Sequence, residues 1–256
     1  MVEFVTLTRK AASEAIGTAF LLATVIGSGI MGERLSGGNV AIALLANTLA
    51  TGAALVALIL TFGPISGAHF NPAVTLADAS QGGVSWREVP AYIAAQVIGA
   101  FLGVAAAHLM FSEPLFSVSN HTRSGAAQII SEFVATFGLL SVIWGVTRRR
   151  SDAAPFAVGA YITAAYWFTA STSFANPAVT LARAFSNTFA GIRPADAPGF
   201  IFAQLIGAAA ATLLFRRLAP ALPEKSREVD IPHDEAAFLS AAAGKADGPL
   251  TGRKDF

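Results

Sequence analysis

Six stretches of the chain are mostly apolar, at 11–31, 40–62, 89–110, 126–146, 154–174 and 199–215. A helix that crosses a bilayer needs about 20 such residues, so the pattern predicts six transmembrane helices. Two further apolar pieces, 71–79 and 176–185, are too short to cross. Each begins at an Asn-Pro-Ala tripeptide, Asn71-Pro72-Ala73 and Asn176-Pro177-Ala178. Proline suits the first position of a helix, where its missing N–H costs nothing, and Asn suits the cap before it. The two pieces are therefore predicted as half-length helices that enter the membrane and stop. The fold class is an all-α membrane protein with six transmembrane helices and two re-entrant half-helices.

The tripeptides sit inside a longer repeat. Residues 71–79 read NPAVTLADA and 176–184 read NPAVTLARA, differing only at Asp78 against Arg183. Ser13, Glu14, Thr18, Leu21 and Leu22 match Ser131, Glu132, Thr136, Leu139 and Leu140 at the same offsets. Ala95-Gln96 with Gly99-Ala100 matches Ala203-Gln204 with Gly207-Ala208. Each half thus reads helix, helix, motif, helix. An odd number of spans per half turns the second half upside down, which makes this an inverted internal repeat. Such repeats place their working site near the bilayer midplane, and irregular backbone is tolerated there only when it is buried in protein or lines a wet cavity. The loops before the motifs are rich in small residues, Gly63, Ser66, Gly67 and Ala68 in one and Ala170 to Ser173 in the other. If the half-helices enter from opposite faces, their N-termini meet, each carrying about half an elementary positive charge. Cations and hydrated protons are repelled at such a point. A neutral hydroxylated molecule is held, and the Asn71 and Asn176 amides are free to donate to it.

Composition supports a lipid setting. The chain is 54% apolar and 13% charged, against about 25% charged in soluble domains. A formal net charge of +1 argues against a nucleic-acid partner. There is no cysteine, hence no disulfide and no thiolate metal site, and neither metal nor cofactor is expected. No paired carboxylates, Ser-His-Asp order or phosphate loop is present in the motifs, so the chain is not expected to be an enzyme. Arg9, Lys10, Arg87, Arg148, Arg149, Arg150, Arg216 and Arg217 fall on one side of six spans, and Arg34, Arg123 and Arg193 on the other. The excess of basic residues marks the cytoplasmic side. The expected organisation is a cytoplasmic N-terminus at 1–10, a first repeat at 11–110, an extracellular connecting loop at 111–125, an inverted second repeat at 126–217, and a cytoplasmic tail at 218–256. The tail carries Pro220, Pro223, Pro232, Pro249 and many charges, and is expected to be mostly disordered.

These residues resemble those of the aquaporin and aquaglyceroporin family, the major intrinsic proteins. The likeness covers about 11–215 and rests on the Gly67 to Thr75 segment, Asn176-Pro177-Ala178, Glu14 and Glu132. It implies a passive channel in the inner (plasma) membrane, assembled as a homotetramer with one pore per subunit, whose partners are small neutral solutes and the lipid bilayer. The family's outer filter maps by distance from the motifs to Thr51, Ala164, Ser173 and Val179. Thr51 stands where members commonly carry an aromatic residue, and Val179 where nearly all carry arginine. The resemblance therefore implies a widened, arginine-free filter. Among family members this pairing is similar to a bacterial subgroup tied to arsenic resistance. The implied cargo is metalloid acids such as arsenite and methylated arsenicals, with glycerol and water. A general glycerol, urea and water channel is one alternative. An ion-coupled secondary transporter, also built from inverted repeats, is another.

Other residues carry two readings each. Arg183 lies four residues after Val179 and shares its helix face. It is either a displaced guanidinium over the outer mouth or, as is commoner for such residues, an interfacial arginine reaching into water. Glu14 and Glu132 are acids inside spans, open to a proton-relay reading, but as a symmetric pair they resemble the family's buried braces of the motif loops. His69 is either a lining or pH-gating residue of the inner pore or a structural histidine. Tyr161, Tyr166 and Trp167 are expected to pack or to sit at the interface rather than in the filter.

Overall fold

The computed structural model describes residues 5–219. The expectations for residues 1–4 and for most of the tail lie outside them. Among the described residues regular structure is helical throughout: α1 (Leu7–Leu35), α2 (Val40–Ser66), α3 (Pro72–Ala79), α4 (Val89–Phe111), α5 (Ala126–Thr147), α6 (Ala154–Phe168), α7 (Pro177–Arg183) and α8 (Ala197–Leu218), with one turn of 3-10 helix at Ser151–Ala153. Five of these, α1, α2, α4, α5 and α8, are long and apolar enough to cross a membrane.

The sixth span, α6, departs from its expected extent. It was read to 174 but ends at Phe168, after 15 residues, a rise of about 22 Å against a hydrocarbon core of about 30 Å. Beyond it the chain reads Thr-Ala-Ser-Thr-Ser-Phe, mostly small and hydroxylated; Thr169 is extended, and Thr172, Ser173 and Ala175 are left-handed. Side chains of α5 take over the backbone donors that a longer helix would use. Ser131 accepts from Ala170 N–H, and Glu132 accepts from Phe174 and Ala175 N–H. Residues 169–174 therefore form a loop held by α5, not another turn of helix. The second half-helix is likewise shorter than 176–185. Past Arg183 the amides of Ala184 and Phe185 reach back only three residues, and the carbonyls of Ala184 and Phe185 accept from Ser119 and Ser117.

Packing follows the internal repeat. α1 rests on α4 and α2, as α5 rests on α8 and α6, and the halves join where α2 meets α6. Close approach requires glycine at two matched positions. A Cβ at Gly99 of α4 would lie 2.2 Å from the Ala15 carbonyl oxygen, and one at Gly207 of α8 would lie 2.6 Å from that of Phe133. Small residues at helix crossings are the usual means of tight packing in lipid, where no hydrophobic drive exists between helices. Large apolar side chains such as Phe20, Leu102, Leu109, Ile130 and Phe202 face outward, as a lipid-facing surface requires. The half-helices α3 and α7 pack against α4 and α8 and touch each other at their tips.

Candidate functional site

Each half-helix starts at its Asn-Pro. Asn71 and Asn176 are extended, and their side-chain oxygens accept from the amides that open the helix, Ala73 for Asn71 and both Ala178 and Val179 for Asn176. The side-chain nitrogens cross to the other half. Asn71 Nδ2 donates to the Ala175 carbonyl at 2.7 Å, and Asn176 Nδ2 donates to the Phe70 carbonyl at 2.7 Å. The two helix N-termini therefore abut in the core, and each amide group keeps one further N–H for other uses.

The loops into the motifs are strained in a matched way. Ala68 and Phe70, three and one residues before Asn71, have positive φ, as do Ser173 and Ala175 before Asn176. Non-glycine residues in this region cost about 1–3 kcal/mol each and persist where surroundings over-determine them. The surroundings here are two buried carboxylates. Glu14 accepts from the amides of His69 and Phe70, from Ser66 and from Gln96. Glu132 accepts from the amides of Phe174 and Ala175 and from Gln204. Gln96 and Gln204 also donate to Thr75 and Thr180 of the half-helices, each at 2.8 Å. Both carboxylates are consumed by loop donors and stand apart from the cavity lining, a geometry suited to bracing rather than to passing protons.

A cavity of about 300 Å³ runs past the motif pair. Its middle is lined by Asn71, Asn176, Phe70 and Ala175. His69 and Asp78 beside the first motif line it together with Trp144 and Thr147, and Val179 and Arg183 of the second half-helix line it together with Thr51, Tyr166, Ser173 and Phe174. Much of the wall is aliphatic, from Leu21, Val25, Leu55, Ile59, Leu139, Val158 and Ile162. Among the described residues no cluster of His, Cys, Asp or Glu is arranged to hold a metal ion.

The mapped filter positions divide. Thr51, Ser173 and Val179 line the cavity, and Ser173 Oγ is buried without a hydrogen-bond partner. Ala164 does not line it; it is exposed on the outer face of α6. The count from Asn176 assumed an unbroken register, but the loop after α6 shifts it. The cavity side of α6 carries Ile162 and Tyr166 instead. Tyr166, expected to be a packing residue, points its hydroxyl at Thr51 Oγ1, 3.3 Å away. The ring missing at position 51 is thus supplied by another helix. Trp167 is exposed, and Tyr161 donates to the Ala135 carbonyl.

Arg183 overturns two expectations. It is 2% exposed, so it does not reach into water, and it lines the same cavity as Val179. The cavity at Val179 is therefore not free of a guanidinium, contrary to the arginine-free filter expected. Its Nε donates to the Ala190 carbonyl, and its guanidinium carbon lies 3.3 Å from the centroid of the Phe174 ring. The i, i+4 spacing from Val179 was legible in the chain. The ring and the carbonyl that hold the side chain inward were not, because both come from loops. Asp78, the symmetry mate, accepts from Val84 N–H at 2.6 Å and lies 3.7 Å from His69 Nε2, while His69 Nδ1 contacts Thr75 Oγ1 at 3.1 Å.

Loops at the Arg183 end are pinned by Arg123 and Asp196. Arg123 donates to the carbonyls of Gly191 and Ser171. Asp196 accepts from the Arg123 amide at 2.9 Å and from Arg193 at 2.8 Å. Burial alone raises the Asp196 carboxyl, but the hydrogen bonds from Arg193 and Arg123 and the Arg193 charge outweigh it and leave the group below its ordinary value.

The profile of the major intrinsic protein family matches residues 1–174. An inverted repeat with two opposed half-helices on one cavity is the architecture of a membrane channel, and the chain belongs to that family, whose members are passive channels and not enzymes. The chain is 56% identical over 218 residues to aquaglyceroporin AqpS of Rhizobium meliloti (strain 1021), a match covering 85% of this chain and 93% of that protein. It is 37% identical over 166 residues to aquaporin NIP3-1 of Oryza sativa subsp. japonica, covering 62% of this chain and 52% of the plant protein. The solved aquaglyceroporin of Plasmodium falciparum shares the fold, with a TM-score of 0.68 at 23% identity over 84% of this chain and 98% of that one.

Proposed function

We propose that this channel conducts small uncharged polyhydroxylated solutes down their gradients, with metalloid acids such as arsenite and methylated arsenicals as cargo beside glycerol and water. The observation that carries the reading is the reciprocal pair of bonds from Asn71 and Asn176, which sets two half-helix N-termini against one cavity. Positive helix ends disfavour cations there, and a free amide N–H on each Asn offers a donor to a passing hydroxyl. The aliphatic wall opposite accepts the less polar side of such a molecule.

Three features favour solutes larger than water. Val179 and Thr51 are small, the cavity holds about 300 Å³, and the relative that is 56% identical is called an aquaglyceroporin. The absence of cysteine suits arsenicals in particular, since a soft thiolate would trap a trivalent arsenic centre instead of releasing it. Under this reading the repeats at 11–110 and 126–217 form the pore, joined by an extracellular loop at 111–125, and both termini are cytoplasmic. Four copies assemble in the inner (plasma) membrane with one pore each.

Uptake of arsenite, methylated arsenicals and glycerol into proteoliposomes, measured side by side, tests the cargo. Faster entry of all three than into protein-free vesicles is expected. Entry of glycerol alone removes the metalloid reading and leaves a general glycerol channel.

A further inference from the structure

The second motif ends in an arginine that the family's filter pattern does not require. Val179 holds the filter position, and Arg183 follows one turn later on the same face of α7. A long side chain there can point to water or fold inward. Two loop groups decide for inward. The Ala190 carbonyl takes Nε, and the guanidinium carbon sits over the Phe174 ring.

The rest of the group is left for the pore. Among the described residues its Nη nitrogens have no hydrogen-bond partner, and no carboxylate lies within ion-pair distance. The neighbouring acid, Glu132, is already taken by two backbone amides and Gln204. A second cation, Arg123, sits 5.0 Å from the same ring centroid and adds to the positive field. Two hydroxyls complete the belt on the same cavity. Ser173 Oγ is unpartnered, and Tyr166 presents its hydroxyl beside Thr51.

We infer that Arg183 is the selectivity-determining guanidinium of the outer constriction, contributed from one helical turn beyond the filter position that Val179 occupies. The inference rests on the channel reading above and specifies how that channel sorts solutes. An unneutralised charge held in a low-dielectric wall repels small cations strongly. Its Nη donors give an uncharged hydroxylated solute replacements for part of the water it sheds. Val179 leaves open the space an arginine at its own position would fill. The arrangement combines a roomy throat with a charge barrier.

The test uses the full chain in proteoliposomes and two probes of similar size, glycerol and the permanently charged guanidinium ion, with wild type and Arg183→Gln, Arg183→Met and Arg183→Lys. Wild type is expected to pass glycerol and exclude guanidinium. The Gln and Met variants are expected to raise the ratio of guanidinium to glycerol flux about ten-fold or more, a modest demand on one unit charge at close range, with glycerol flux lowered by the lost donors but still above that of protein-free vesicles. The Lys variant is expected to exclude it again. Neutral variants that pass glycerol yet exclude guanidinium as wild type does overturn the inference, as does a Lys variant that leaks like Gln. Loss of glycerol flux in both neutral variants, with wild type active, makes Arg183 a structural clamp and also overturns it. A wild type that passes no glycerol removes the channel reading itself.

Discussion

Arg183 lies against Phe174, its guanidinium carbon 3.3 Å from the ring centroid, and the ring's own backbone amide is held by Glu132. The residue that Glu132 braces is thus also the one against which the Arg183 guanidinium rests. Such a contact contributes about 0.5–2 kcal/mol depending on desolvation. Phe174→Leu keeps the backbone bond and removes the platform. Its expected phenotype lies between wild type and Arg183→Gln, with glycerol flux kept and exclusion of guanidinium weakened. Tracer uptake of both probes measures it, and undiminished exclusion would show that Ala190 alone fixes the side chain.

The cavity side of α6 is read by a pair of substitutions. Ala164→His changes an exposed position and is expected to leave the ratio of glycerol to water flux unaltered. Tyr166→Ala removes a ring from the lining and is expected to raise permeation of larger polyols relative to water. Osmotic shrinkage of proteoliposomes with a series of polyols compares the two, and a selectivity change in the Ala164 variant alone would restore the register counted from the motif.

That register shows what a chain can and cannot disclose. The motifs, the matched Glu14 and Glu132, and the glutamines that join them are legible because they recur at fixed offsets within helices, where spacing dictates facing. Val179 lies within α7, three residues past Asn176, and lines the cavity as that spacing requires. Ala164 does not, since the segment after Phe168 is neither helix nor fixed in rise, and counting across it loses phase. Residues 169–174 read Thr-Ala-Ser-Thr-Ser-Phe, small enough either to extend a span or to form a loop. Only the donors' partners, Ser131 and Glu132, separate the two.

The braces carry a stability prediction. Glu132→Gln leaves one side-chain oxygen for three donors and turns an N–H toward a backbone N–H. Each unsatisfied buried donor costs about 1–3 kcal/mol. A fall of several degrees or more in the unfolding temperature in detergent is expected, with a parallel fall for Glu14→Gln. Unchanged stability in both would assign the carboxylates some role other than holding the loops.

Gly99→Val tests the crossing of α1 and α4. With the added Cβ 2.2 Å from the Ala15 carbonyl oxygen, the helices must part. Overpacking of this kind costs about 1–3 kcal/mol or more. Poor yield and a lowered unfolding temperature are expected, while Gly63→Ala, where a Cβ meets nothing within 4 Å, is expected to behave as wild type.

Acid sensitivity follows from Asp196. Its folded-state value is depressed, so its contribution to stability is complete above the ordinary carboxylate value of about 3.9 and is lost as pH falls through the lower folded value. Wild type is therefore expected to lose stability below about pH 4, and Asp196→Asn is expected to lose part of that dependence and to be less stable at neutral pH. Unfolding temperature against pH for the two proteins checks the sign.

The most direct measurement is stopped-flow entry of glycerol and arsenite into proteoliposomes, with and without an imposed proton gradient. A passive pore lined by opposed helix tips predicts entry faster than through lipid alone and the same rate after the gradient is dissipated. Entry that stops when the gradient collapses would contradict it and make the inverted repeat a coupled transporter.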